Sequence, residues 1–123
     1  MKESEKLNML YKNNSLNKED VYADKRGFSI IKRSGIEKIQ VNNNIEVEFH
    51  HISWDINNCV IKAISYIKGK KKMETYASAT KENCMQKFRM EIAEKRALAR
   101  IIIKTMNLTN TFGEDEINYQ NNG

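Results

Sequence analysis

Residues 59–80 read CVIKAISYIKGKKKMETYASAT, and the pattern within them sets the fold class. Val60, Ile64 and Tyr66 fall on one side of an extended chain, with Ile61, Ala63 and Ile67 on the other. After a turn at Gly69, Met73, Thr75 and Ala77 alternate with Glu74, Tyr76 and Ser78. Two such runs joined by a short turn predict an antiparallel hairpin. The first run is apolar on both sides, so cover is expected over both of its faces. One run earlier, IEVEFHHIS (45–53) alternates Ile45, Val47 and Phe49 with Glu46, Glu48 and His50, and WDINN (54–58) carries turn chemistry. The three runs predict a meander.

Following the meander, FRMEIAEKRALARIIIKTMN (88–107) reads as a helix that begins at about Cys84 or Met85 and ends at Asn107. On a helical wheel Phe88, Ile92, Ala99, Ile103 and Met106 form an apolar face for the sheet, which Leu98 and Ile102 extend. Arg89, Arg96, Arg100 and Lys104 recur at spacings of seven, four and four. They therefore share an adjoining arc about a quarter of the circumference wide. Ala93 and Ala97 lie on or beside that arc, which leaves room for a wide ligand to approach the backbone. Because the arc adjoins the buried face, a groove between helix and sheet is expected, with Lys62, Lys70 and Lys72 contributing charge from the strands. A solvated helix face is the plainer reading of the same pattern.

Toward the N-terminus, KRGFSIIKR (25–33) offers a short extended run. Ser34 and Glu37 have capping-box spacing for a short helix from Gly35 to about Gln40. Residues 1–24 read as a mobile arm in which Leu7, Leu10 and Tyr11 form at most one amphipathic turn. Residues 25–110 then form a single domain, and residues 111–123 an acidic and polar tail. The expected architecture is α+β: an antiparallel meander of three or more strands packed on one long C-terminal α-helix.

The chain has 123 residues, enough for one domain, and a net charge of +5 from 21 Lys and Arg against 16 Asp and Glu. That surplus favours a polyanionic partner, nucleic acid ahead of membrane. So small a domain is also expected to self-associate. Cys59 and Cys84 lack metal-ligand spacing and are too few for a disulfide scaffold. With no long apolar run and no secretory leader, a bacterial cytoplasmic setting without membrane attachment is expected. His50 and His51 point to opposite faces of a strand and do not share a metal. The acids at 114–116 read as a solvated cap. No phosphate-binding loop and no nucleophile–base pair is present, so neither catalysis nor a cofactor is expected. Trp54, Tyr66 and Tyr76 are candidate base-stacking residues, whereas Phe28 and Phe49 read as core.

The ordered set of a β-meander ending in ETYASATKEN, a helix reading EIAEKRALARIIIKTMNL and a following GEDE resembles the Rad52-like single-strand DNA annealing proteins, short phage-type members above all. The family's helix signature is matched by Ala93, Glu94, Arg96, Ala97 and Arg100, and RSGIEKI (33–39) is similar to the helix that precedes the hairpin in phage members. The likeness covers roughly residues 26–117. It implies ATP-independent binding and annealing of single-stranded DNA during phage recombination or repair, by subunits assembled into a ring or filament. By position it implicates Lys95, Arg96 and Arg100 in holding the DNA backbone, beside Arg89 and Lys104 from the wheel. The chain departs from the family in its shortness and in having YASAT where a Gly-rich strand end is usual. Two other readings use the same residues: a protein-interaction module that recruits or inhibits a partner through its acidic tail, and an RNA-binding module.

Overall fold

The computed structural model describes residues 3–54, 58–80, 89–108 and 111–116. The meander is present as three strands, β3 (Ile45–Trp54), β4 (Asn58–Ile67) and β5 (Lys70–Thr80). They lie side by side and antiparallel in that order. Ile67 pairs directly with Lys70, so Lys68 and Gly69 form a two-residue loop. Both take positive φ, 52° and 77°, as the twist of a tight hairpin requires. Strand period places Cys59, Ile61, Ala63 and Ser65 of β4 beside Thr75, Ala77 and Ala79 of β5, all buried.

Helix α3 (Arg89–Thr105) covers that face. Its buried residues are Ala93, Ala97, Ala99, Ile101, Ile102 and Ile103. At ~100° per residue Ala97 and Ala99 point to nearly opposite sides, so the helix is buried on more than one flank. This corrects the expectation for Ala93 and Ala97. Both are fully buried, and the fold itself takes up the space they leave.

The second flank belongs to a second sheet, which the sequence reading did not anticipate. Strands β1 (Val21–Ala23), β2 (Ser29–Ile31) and β6 (Thr111–Gly113) form it, with β1 antiparallel and β6 parallel to β2. Gly113 brings β6 against α3 so closely that a Cβ at that position would stand 2.3 Å from the Ala99 Cβ. Two further helices complete the molecule, α1 (Glu3–Asn13) and α2 (Arg33–Asn42). The architecture is α+β, with two three-stranded sheets and three helices; α2 contains the short helix expected from Gly35 to about Gln40, whereas α1 and the second sheet were not expected.

Both terminal segments differ from expectation for the same reason. Leu10 of α1 is buried in the core, and Tyr11 and Leu16 pack against it. The segment expected as a mobile arm through residue 24 thus supplies α1 and β1. Residues 111–113, expected in a polar tail, supply β6, and a 3-10 turn at Glu114–Glu116 follows directly. Neither segment has a strong period of its own, and each gains its shape by packing on residues distant in sequence.

Polar knots hold the N-terminal region. Buried Asp20 accepts bonds from Ser34 Oγ (2.5 Å), Lys38 Nζ (2.7 Å) and the Asn17 amide (3.0 Å). Burial alone would raise its pKa, but those donors, Lys38 first, hold the carboxyl below its usual 3.8. Ser34 is therefore not the helix cap expected from the capping-box spacing. The N-cap is Lys32, without a side-chain bond, and Ser34 lies within α2, turned to Asp20. Buried Asn14 forms a second knot, donating to the Leu10 carbonyl and accepting from Asn43 Nδ2 (2.9 Å).

The other face of the meander carries Lys62, Ile64 and Tyr66 beside Glu74, Tyr76 and Ser78. Only α2 and α3 among the described helices make extensive contact with this sheet, and α3 lies on the opposite face. The expectation of cover over both faces of β4 is not met among the described residues. Ile64 is nonetheless buried, and it stands in register between Glu48 of β3 and Glu74 of β5.

Candidate nucleic-acid interface

The basic row of α3 emerges in the seam between the two sheets, where the edge strands β5 and β6 approach each other across the helix. Arg96 bridges that seam. Its Nη1 donates to the Ser78 carbonyl of β5 (2.9 Å) and its Nε to the Asp115 carbonyl in the 3-10 turn (3.1 Å). Lys104 Nζ donates to the Glu74 carbonyl of β5 (3.3 Å). Outward carbonyls of an edge strand invite pairing with another chain, and these two cations occupy them. Part of the basic row thus has an explanation inside the fold: Arg96 and Lys104, eight residues apart on the helix, meet β5 carbonyls four residues apart.

Arg100 is placed differently. Its side chain remains 55% exposed, with Nε 3.8 Å from the Glu116 carboxylate. Arg100 and Lys104 line a cleft of about 300 Å³ together with Thr75, Ile103, Leu108, Thr111, Phe112 and Glu116. Glu116 is largely buried and accepts a bond from the Gly113 amide (2.8 Å). Burial raises its pKa above the usual 4.5, against the pull of that amide and of Arg100. The acids expected as a free solvated cap are folded onto the helix, and one carboxylate forms part of the cleft wall.

The remaining site candidates do not converge on this cleft. Arg89 is half-buried and opens α3. Lys95 lies about 100° around the helix from Arg96 and lines a separate cavity of about 230 Å³ with Arg33, Phe49, Glu91, Glu94 and Leu98. Lys62 is on the open face of β4, paired with Glu74 (3.0 Å) and above the Tyr76 ring (5.9 Å). The Glu74 carboxylate, held below its usual 4.5 by Lys62 and then Lys71, neutralises that patch. Tyr66 and Tyr76 share the same open face, away from α3. Lys70 and Lys72 are exposed at the hairpin end. Trp54 ends β3, and its side chain lies outside the described residues, as do Cys84 and Phe88.

Aromatic residues that the sequence reading did not select stand at the cleft instead. Phe112, 38% exposed, lines it and meets Phe28 edge-on at 5.0 Å between ring centres. Phe28, expected in the core, is only half-buried. The sequence offers little signal for this: in TFG (111–113) Thr and Phe favour a strand but Gly disfavours it.

The site is thus a small cleft, open between two sheet edges, lined by Arg100, Lys104 and the Glu116 carboxylate and bordered by the Phe112 ring. Comparison with protein-family models, with curated proteins and with solved structures finds no match for the chain.

Proposed function

We propose that this protein binds single-stranded DNA without nucleotide hydrolysis, holding the sugar–phosphate backbone in the cleft between β5 and β6. The observation that carries this reading is the pair Arg100 and Lys104, turned into a concavity beside an exposed aromatic ring. Guanidinium and ammonium groups donate charge-assisted bonds to phosphate oxygens, and a concave wall strengthens their field. The exposed lysines at the hairpin, Lys68, Lys70, Lys71 and Lys72, extend the positive surface from the same edge strand. Arg96 supports the cleft by tying its two walls together and does not itself take a phosphate.

Annealing in phage recombination, as in the Rad52-like proteins the sequence resembles, extends the same proposal, with a homo-oligomeric ring or filament as the working form. Backbone capture that leaves bases free to pair is the physical requirement for annealing, and it needs neither a catalytic group nor a cofactor. The alternative of a recruitment module acting through a free acidic tail has less support, because Glu114–Glu116 pack against α3.

The test is a fluorescence anisotropy titration of a labelled oligonucleotide across a salt series. Each phosphate contact with single-stranded DNA contributes about 0.7 to the slope of log affinity against log salt. Arg100→Gln with Lys104→Gln is expected to lower that slope by about 1.4. An unchanged slope would remove the cleft from the binding surface. Light scattering with and without the oligonucleotide reports the subunit number.

A further inference from the structure

We propose that the outward face of the β1–β2–β6 sheet, where Tyr22, Phe28 and Phe112 surround Ile30, is a base-stacking platform for single-stranded DNA, continuous with the phosphate cleft through Phe112.

The register makes the platform. Tyr22 pairs with Ile30, and Ile30 pairs with Phe112, so the three side chains form one row across the sheet. Phe28 and Lys32 lie two residues to either side of Ile30 along the chain, and strand period turns them to the same face. Contacts agree with this: Phe28 meets Phe112, and Lys32 Nζ stands 5.7 Å from the centre of the Tyr22 ring. The opposite face holds Ile31, Thr111 and Gly113, all buried toward α3 and the core. Ile30 is fully buried, yet it stands outside the main core cluster. Tyr22 and Phe112 flank it in register, and each remains 38% exposed.

The chemistry of this face suits bases more than an aliphatic partner. Flat rings offer stacking area to any nucleobase without regard to sequence. The Arg26 guanidinium lies 4.6 Å above the Phe28 ring and extends the flat surface. Its charge is matched by Asp24, which it grips at 2.9 and 3.2 Å. The electrostatic attraction therefore comes from Lys32 at one side and from Arg100 and Lys104 at the other. A strand whose phosphates enter the cleft would pass its next bases over Phe112 toward Tyr22. This arrangement rests on the proposed backbone site and supplies what that site lacks, contact with the bases themselves.

A direct comparison tests it. Wild-type protein is titrated with a thymidine oligonucleotide and with an abasic oligonucleotide of equal length and charge. Stacking predicts about tenfold tighter binding of the thymidine strand. Replacing both exposed rings, Tyr22→Leu with Phe112→Leu, keeps apolar side chains beside Ile30 and is expected to shrink that preference to about twofold or less. Tyr22→Leu alone, at a ring outside the cleft lining, is expected to reduce the preference while abasic affinity and salt slope remain at wild-type values. Equal wild-type affinity for the two strands with a normal slope would overturn the platform and leave the cleft standing. A thymidine preference that survives while Arg100→Gln and Lys104→Gln leave the slope unchanged would do the reverse. Photocrosslinking of a halogenated-uracil strand to the unsubstituted protein gives a readout independent of folding in the variant. Adducts at Tyr22 or Phe112 support the platform, and adducts confined to Tyr66 and Tyr76 overturn it.

Discussion

The two sheets of this molecule are built on opposite principles. The β3–β4–β5 sheet comes from one continuous stretch of chain, joined where described by a two-residue loop, and its outer face is charged and internally paired: Lys62 and Lys71 on Glu74, His50 beside Glu48. The β1–β2–β6 sheet has strands of three residues each, collected from both ends of the chain, and its outer face is aromatic with cations at its margins. Paired charges on an open sheet face gain little from a charged ligand, because each contact must first displace an existing partner. On the aromatic face Arg26 is likewise matched by Asp24, whereas Lys32 stands over the Tyr22 ring. Charge count alone is thus a poor guide to where a polyanion would bind, since the sheet with more charges has already neutralised many of them.

The largest perturbation should fall on the contact that joins the smaller sheet to the helix. Gly113→Val forces a side chain into Ala99 and is expected to destabilise the fold by about 3 kcal/mol, read by urea denaturation. Ala99→Gly in the same chain should recover part of that loss. Full stability of the single variant would mean that β6 does not depend on this close approach.

Arg96→Ala comes next. It removes bonds to two carbonyls, one on each side of the seam, and should cost about 2 kcal/mol of stability. The salt slope for DNA binding is expected to stay at the wild-type value. A drop in slope without loss of stability would transfer Arg96 from the scaffold to the ligand site.

Gly69→Ala probes the other sheet. At φ +77° an alanine is strained by about 1 kcal/mol, an effect that should reach the hairpin and leave oligonucleotide stacking on the distant aromatic face unaltered. A change in thymidine preference would show that the two faces are coupled.

The smallest effects are those of pH, and they have opposite signs in the two carboxylates. Asp20 has a depressed folded pKa, so its contribution to stability is present above 3.8 and fades as pH falls through the lower folded value. Glu116 has a raised folded pKa, so its ionised form is a burden at neutral pH. That burden lifts as pH falls through the raised value and is gone below 4.5. Glu116→Gln should abolish the mild gain on acidification, and Asp20→Asn should abolish the loss at lower pH, both followed by thermal melts. Unaltered pH profiles would remove the two carboxylates as the source of either effect.

The meander and the helix are legible in the chain alone, because strand alternation and helical period are local properties written within a few residues. Its hairpin turn was legible in Lys68 and Gly69 for the same reason, as was the existence of a basic row on α3. How each cation of that row is placed depends on packing. Arg96 and Lys104 find carbonyls on β5, a strand that their own helical spacing cannot see. The β1–β2–β6 sheet was equally hidden, since pairing Ile30 with Tyr22 on one side and Phe112 on the other joins segments about eighty residues apart. Three-residue strands carry too little pattern to announce themselves, and their stability comes from burial against α3 and from the Asp20 knot. The aromatic face therefore exists only once distant chain segments have met.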